Sequence, residues 1–254
     1  MGEVMQFSEL TERKLRASVD YSMYFESDRI DGVKILPMEI GKLNLPSGRL
    51  VACDPSTVLR GGGEACLPFA YAVEPGQYPV TLSVAKGSTP AMGDRYAAAR
   101  IKFSENRPVK WLLALRGNEN PAGLTRDGEY FGFQVDASFG CFVDEQGREP
   151  YLRLCRLLEQ HGRDLMADFF SPQLKESYAK FPRNQREEGD WFNALIPGDD
   201  QINLAVFQTG FGEGVYPCYW GLDEEGEAAQ LVADFFVFDP TVSVSPKPTE
   251  EGAL

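Results

Sequence analysis

A chain of 254 residues with 43% hydrophobic and 12% aromatic content can bury a sizeable core, which excludes a disordered or low-complexity polypeptide. Its 38 acidic against 25 basic residues leave a net charge of −13, with the basic residues scattered along the chain, which argues against nucleic acid and for a basic partner, a cation or a small ligand. Five widely spaced cysteines without a C-x-x-C pair argue against a disulfide framework. With no signal-peptide order, no apolar run of ~20 residues and no myristoylation pattern, a soluble cytoplasmic protein without a membrane partner is expected.

Residues 8–27 suit a helix, capped by Ser8 or Thr11, with Leu15, Val19 and Met23 recurring on one face and a break from Asp28 to Gly32. Residues 42–55 read as two short strands around the turn triplet Pro46-Ser47-Gly48. Gly61 to Gly63 form a loop. Val80, Leu82 and Val84 alternate as in a strand with one buried face, and 95–104 and 109–116 are further strands, followed by candidates at 130–135 and 139–143. Near residue 149 the period changes. Pro150 opens a helix that Gly162 stops, and a second helix covers 163–181 with a restart at Ser171-Pro172. Arg183 to Asp190 reads as an exposed charged linker. Strands resume at 191–196, 202–209, 215–220 and 229–238, and the tail from Pro240 reads as poorly ordered.

The sum is an α+β protein: a mostly antiparallel sheet of about ten strands, an N-terminal helix and a helical pair inserted near 150–181. Residues 1–239 are expected to form a single domain, with 240–254 as its tail.

Few groups offer chemistry. His161 is the only histidine and sits at a predicted helix end, where a histidine complements the helix dipole more often than it catalyses. One histidine and no close cysteine pair leave no ligand set for zinc, and no metal or other cofactor is expected. Carboxylates are the abundant reactive groups. Asp54, Asp136, Asp144, Glu213 and Asp223 fall at strand ends or corners, where they could converge on a hard cation or form an acid/base pair. Aspartate also favours such turns for its own backbone hydrogen bonds. The glycines at 61–63 and 210–214 lack the flanking elements of phosphate-binding loops and read as backbone features. The hairpin region 209–239 brings glycines, aromatics and the acidic turn Asp223-Glu224-Glu225 together. Glu213, Tyr216, Tyr219, Asp223 and Glu224 are its candidate partner contacts. Phe235 and Phe236 must point to opposite faces of a strand, so one of them can belong to an apolar surface.

The segments LPSGRLVACDP (45–55), EPGQYPVTLSVAKG (74–87), RYAAARIKFS (95–104) and TGFGEGVYPCYWGLDEEG (209–226), in this order, resemble a bacterial domain-of-unknown-function family, number 4241. The resemblance runs from residue 42 to 239. It implies a compact, β-rich bacterial cytosolic protein and brings no activity and no catalytic residues. The expectation is therefore a non-enzymatic protein-binding module with a basic partner, by analogy an immunity or defence protein. The alternative is a carboxylate-based hydrolase, using Mg²⁺ or Ca²⁺ or an acid/base pair drawn from Asp54, Asp136, Asp144 and Glu213. A small-molecule binding protein is a third reading.

Overall fold

The computed structural model describes residues 7–61, 66–87, 93–126, 128–238 and 244–246. Helix α1 (Glu9–Leu15) opens it, and the Ser8 hydroxyl accepts the Thr11 N–H as an N-cap. The helix is shorter than the spacing of Leu15, Val19 and Met23 implies. Beyond Leu15 the Ala17 N–H donates to the Trp111 carbonyl and Arg16 bridges to Leu112, so pairing with a strand edge replaces helical bonds. A single helical turn, α2 (Met23–Glu26), precedes β1 (Ser27–Ile30). The expected break at Asp28 to Gly32 is instead the end of β1 and a tight turn at Asp31-Gly32, with φ of 49° and 75°. That turn leads into β2 (Val33–Leu45). The first nine residues of β2 are unforeseen, because Pro37 and Gly41 disturb the alternation and a bulge between Glu39 and Lys42 shifts the register.

The Pro46-Ser47-Gly48 turn does not close a hairpin. It carries the chain from one sheet to another, into β3 (Leu50–Cys53). A short helix, α3 (Val58–Gly61), follows, and Gly62 and Gly63 of the expected loop lie outside the described residues. Then come β4 (Gly76–Ala85), β5 (Arg95–Lys102), β6 (Lys110–Leu113), β7 (Phe133–Val135) and β8 (Phe139–Asp144). The helical insert is α4 (Arg148–Gln160), one π-helical turn over Met166–Phe170, and α5 (Ser171–Lys180) with Pro172 in its first turn, as the sequence predicts. The remaining strands are β9 (Trp191–Leu195), β10 (Asn203–Gln208), β11 (Gly214–Tyr216), β12 (Cys218–Leu222), β13 (Ala228–Asp234) and β14 (Val244–Pro246). Of the predicted tail, Val244–Pro246 pair with β1, and the other residues beyond 238 lie outside the described residues.

All pairings are antiparallel. The larger sheet has the order β14-β1-β2-β4-β5-β13-β12-β6, the second β3-β8-β10-β9, and β7 with β11 forms a two-stranded ribbon. The layers follow from alternation along each strand. Leu50, Ala52, Ala205 and Phe207 face the core shared by the two large sheets. Their neighbours Val51, Cys53, Leu204 and Val206 face α4 and α5 on the other side of the second sheet. On the outer face of the larger sheet, Tyr21, Tyr24 and Phe25 pack against Ala97, Trp111 and Val232. The shared core is centred on Trp220, fully buried among Phe69, Tyr71 and Phe103. The segment expected as an exposed linker, Arg183 to Asp190, ends in a buried carboxylate. Asp190 accepts from the Arg186 N–H and from Arg186 Nε at 2.6 Å, which folds the loop onto the sheet.

Candidate functional site

The stretch that turns from the second sheet into the ribbon is a tight corner. Thr209 to Gly212 form a turn closed by the Gly212 N–H to the Thr209 carbonyl at 2.7 Å. The Thr209 and Tyr216 hydroxyls both donate to the Gly212 carbonyl, at 2.7 and 2.9 Å. Gly212 has φ of 103°, which a side chain would strain. At Gly210 the limit is steric: a Cβ would lie 2.6 Å from the Phe235 carbonyl oxygen. The corner is thus held rigidly from inside, and what it holds outward is Phe211, 64% exposed at the tip.

Glu213 follows, exposed. Along β11 the side chains alternate, so Val215 is exposed and Tyr216 is buried. The Tyr130 hydroxyl donates to the Val215 carbonyl at 3.2 Å, and the Tyr130 ring lies 5.3 Å from that of Phe236. Phe211 and Val215 are thus exposed on either side of Glu213 in the chain, with Tyr130 beside Val215. On the other flank, the Arg95 guanidinium stands over the Phe211 ring at 5.8 Å. A hollow of about 430 Å³ opens there, lined by Arg95, Tyr96, Asn184, Arg186, Asp190 and Phe211. Its polar groups are engaged with one another. The Tyr96 hydroxyl donates to the Asn184 carbonyl at 2.9 Å, and burial beside Asp190 pushes its pKa well up. Ser138 and Asn184 on its wall have φ of 66° and 62°, left-handed values that non-glycine residues seldom adopt.

The other sequence-predicted residues part company here. Tyr216 is no contact residue, because it is buried and its hydroxyl positions the corner. Asp223 is buried too, accepting from Asn106 Nδ2 and the Glu227 N–H to close the β12–β13 turn. Glu224 is exposed at that turn, beyond the far end of β12, eight residues past Tyr216 or roughly 26 Å of extended chain at about 3.3 Å per residue. Tyr219 lies on the larger sheet, part-buried and stacked on Tyr21 at 4.5 Å. The predicted partner contacts therefore form no single surface, and Glu213 alone stays at the corner.

Two of the candidate carboxylates, Asp54 and Asp144, are buried and engaged by backbone N–H groups. Asp54 accepts the Ser56 and Thr57 N–H groups with one oxygen and the Asp136 and Ala137 N–H groups with the other. It is a buried staple between two turns. Asp136 itself is exposed and accepts from Gln134 Nε2. Asp144 accepts from the Ser47 N–H, the Ser47 hydroxyl and the Gln146 N–H, and fixes the sheet-switching turn. The pairing of Gly214 with Val135 sets Glu213 beside Asp136 at the end of the ribbon, while Asp144 belongs to the turn at Ser47. Among the described residues no group of three His, Cys, Asp or Glu side chains could hold a metal ion. His161 is exposed at the end of α4, its Nδ1 2.8 Å from the Leu157 carbonyl oxygen. The five cysteines are buried and unbridged.

One buried carboxylate escaped the sequence reading. Asp234, 3% exposed, ends β13, where it accepts the Phe236 N–H at 3.0 Å and the Tyr24 hydroxyl at 3.3 Å. Burial raises its pKa to about 6. The signal was a lone acid inside the apolar run AQLVADFFVF.

Fold and site together define a β-rich α+β protein of two packed antiparallel sheets with an exposed, rigid corner. The family described as Protein of unknown function (DUF4241) matches residues 43–233, and the chain belongs to that family. No curated protein and no solved structure matches the chain. The corner and the hollow beside it lie entirely inside the matched stretch.

Proposed function

We propose that this chain is a non-enzymatic binding protein that holds a basic partner protein against the corner formed by Phe211, Glu213 and Val215. The observation that carries the reading is the pairing of a well-braced, solvent-facing aromatic with a carboxylate, Glu213, that makes no hydrogen bond or ion pair among the described residues. Rigid aromatic anchors dominate interface energies, because little conformational freedom is lost when they are buried. The net charge of −13 would speed the approach of a cationic partner to the chain. An immunity-type role, neutralising a basic toxic partner in the cytoplasm, is the finer form of the proposal. Five unbridged cysteines suit such a reducing compartment, and no helix among the described residues is long and apolar enough to cross a membrane.

The test is affinity purification from the native host with three baits: the natural chain, Phe211→Ala and Glu213→Lys. The expected result is one basic protein recovered with the natural chain at moderate salt and lost, at least tenfold, with both variants. Equal recovery with all three baits, or an acidic partner, would overturn the proposal.

A further inference from the structure

A second cleft, of about 500 Å³, lies on the outer face of the larger sheet and meets the corner at Tyr130. Its floor is a chain of phenols around one carboxylate. Tyr21 stacks on Tyr219 at 4.5 Å and on Tyr24 at 5.9 Å, and Tyr24 donates to Asp234. At its mouth Arg13, Lys14 and Arg16 come from α1 and the segment after it, and Arg126 from the loop opposite, which also carries one carboxylate, Glu129, engaged by the Thr125 and Arg126 N–H groups. On a chain with thirteen more acidic than basic residues, cations are expected to find carboxylates, and many do: Lys110 takes Glu12 and Arg116 takes Glu119. Arg13, Arg16 and Arg126 are exposed and have no carboxylate partner among the described residues. Lys14 is bonded through Nζ to the Leu124 carbonyl at 3.0 Å. Asp234 is instead engaged by the Tyr24 hydroxyl and the Phe236 N–H.

The cleft is therefore divided, with unpaired guanidiniums at the entrance and a neutral-to-acidic hydrogen-bonding floor. Between them the Tyr130 and Phe236 rings, tilted by 54° to each other, form one half-exposed wall. Guanidinium forks match phosphate oxygens, aromatic walls match a planar ring, and a buried carboxylate matches a ring amino or N–H group. The net charge of −13 disfavours a polyanion, so a single phosphorylated ring fits better than a strand.

We propose that this cleft binds a small phosphorylated ring compound of the nucleoside monophosphate kind. Its phosphate lies against Arg13, Arg16 and Arg126, its ring against Tyr130 and Phe236, and its hydrogen-bond donor edge toward Asp234. The site adjoins the partner-binding corner through Tyr130 but uses neither Phe211 nor Glu213. Calorimetric titration of the full chain with the four common nucleoside monophosphates, their free nucleosides and inorganic phosphate tests it. At least one monophosphate is expected to bind with Kd below about 1 mM, with its nucleoside and phosphate alone each at least tenfold weaker. The double variant Arg16→Ala/Arg126→Ala changes only exposed side chains, so it should fold as the natural chain does and lose binding at least tenfold. Phe211→Ala should bind unchanged. Absence of binding by all four monophosphates overturns the proposal. So does binding that free phosphate matches, or that the arginine variant retains.

Discussion

The corner and the cleft are assembled in opposite ways. The corner is local: Thr209 to Tyr216 bend, brace and display Phe211 within eight residues, all inside the stretch shared with the family. The cleft is gathered from afar. Arg13, Arg16, Tyr21 and Tyr24 precede the matched residues 43–233, and Asp234 and Phe236 follow them. The two ends of the chain meet on one sheet face to build it. A local site needs only a good turn, whereas a gathered site inherits the stability of the whole sheet.

Substitutions can break or sharpen that contrast. The largest effect is expected from Gly210→Val, whose Cβ would lie 2.6 Å from the Phe235 carbonyl oxygen, next to the wall residue Phe236. A loss of about 3 kcal/mol in urea unfolding, with both sites weakened, is expected from such overpacking against backbone. If the two sites are separate units instead, only the corner should suffer.

Next comes Asp234. Its folded pKa of about 6 lies above the ordinary value of 3.8, so the native state holds its proton longer than the unfolded chain. Stability from this group is then full below about pH 4 and falls as pH rises toward 6, by about 2–3 kcal/mol. The groups facing Asp234 are Tyr21, Tyr24 and the Phe236 N–H, none of which titrates in that window. Asp234→Asn should remove this slope in unfolding measured at pH 4 and pH 7. An unchanged slope would assign it to other carboxylates.

A smaller loss, about 1–2 kcal/mol, is expected for Gly212→Ala, from the left-handed backbone alone. Unlike Gly210→Val, it should leave nucleotide binding untouched. Smallest of all is Phe211→Ala. The side chain is mostly exposed, so the melting curve should hold within about 0.5 kcal/mol while partner recovery collapses.

The same contrast explains what the residues reveal in order. Strict alternation at Val80, Leu82 and Val84 announces β4, and Pro150 and Pro172 announce α4 and α5, because those signals are local. Leu15, Val19 and Met23 mislead, because nothing near them tells that Ala17 will bond to Trp111. The corner is legible as glycines and aromatics, and Glu213 is found there. The arginines of the cleft look scattered, since Arg16 and Arg126 are separated by more than a hundred residues and only the fold unites them. Asp223 and Asp144 look like site carboxylates because turn-closing aspartates and catalytic ones occupy the same strand ends.

The strand order also bears on how the protein is made. β13 stands between β5 and β12, with Val232 paired to Arg100, so an interior strand of the larger sheet is made after both strands it joins, more than a hundred residues after β5. Until residue 234 emerges, β5 has an open apolar edge and β12 has no partner on that side. Pairings between such distant residues form slowly, and exposed edges recruit other chains in the meantime. A nascent chain of this protein therefore has a long interval in which it depends on chaperones, and truncations ending before β13 should accumulate as aggregates rather than as smaller folded units.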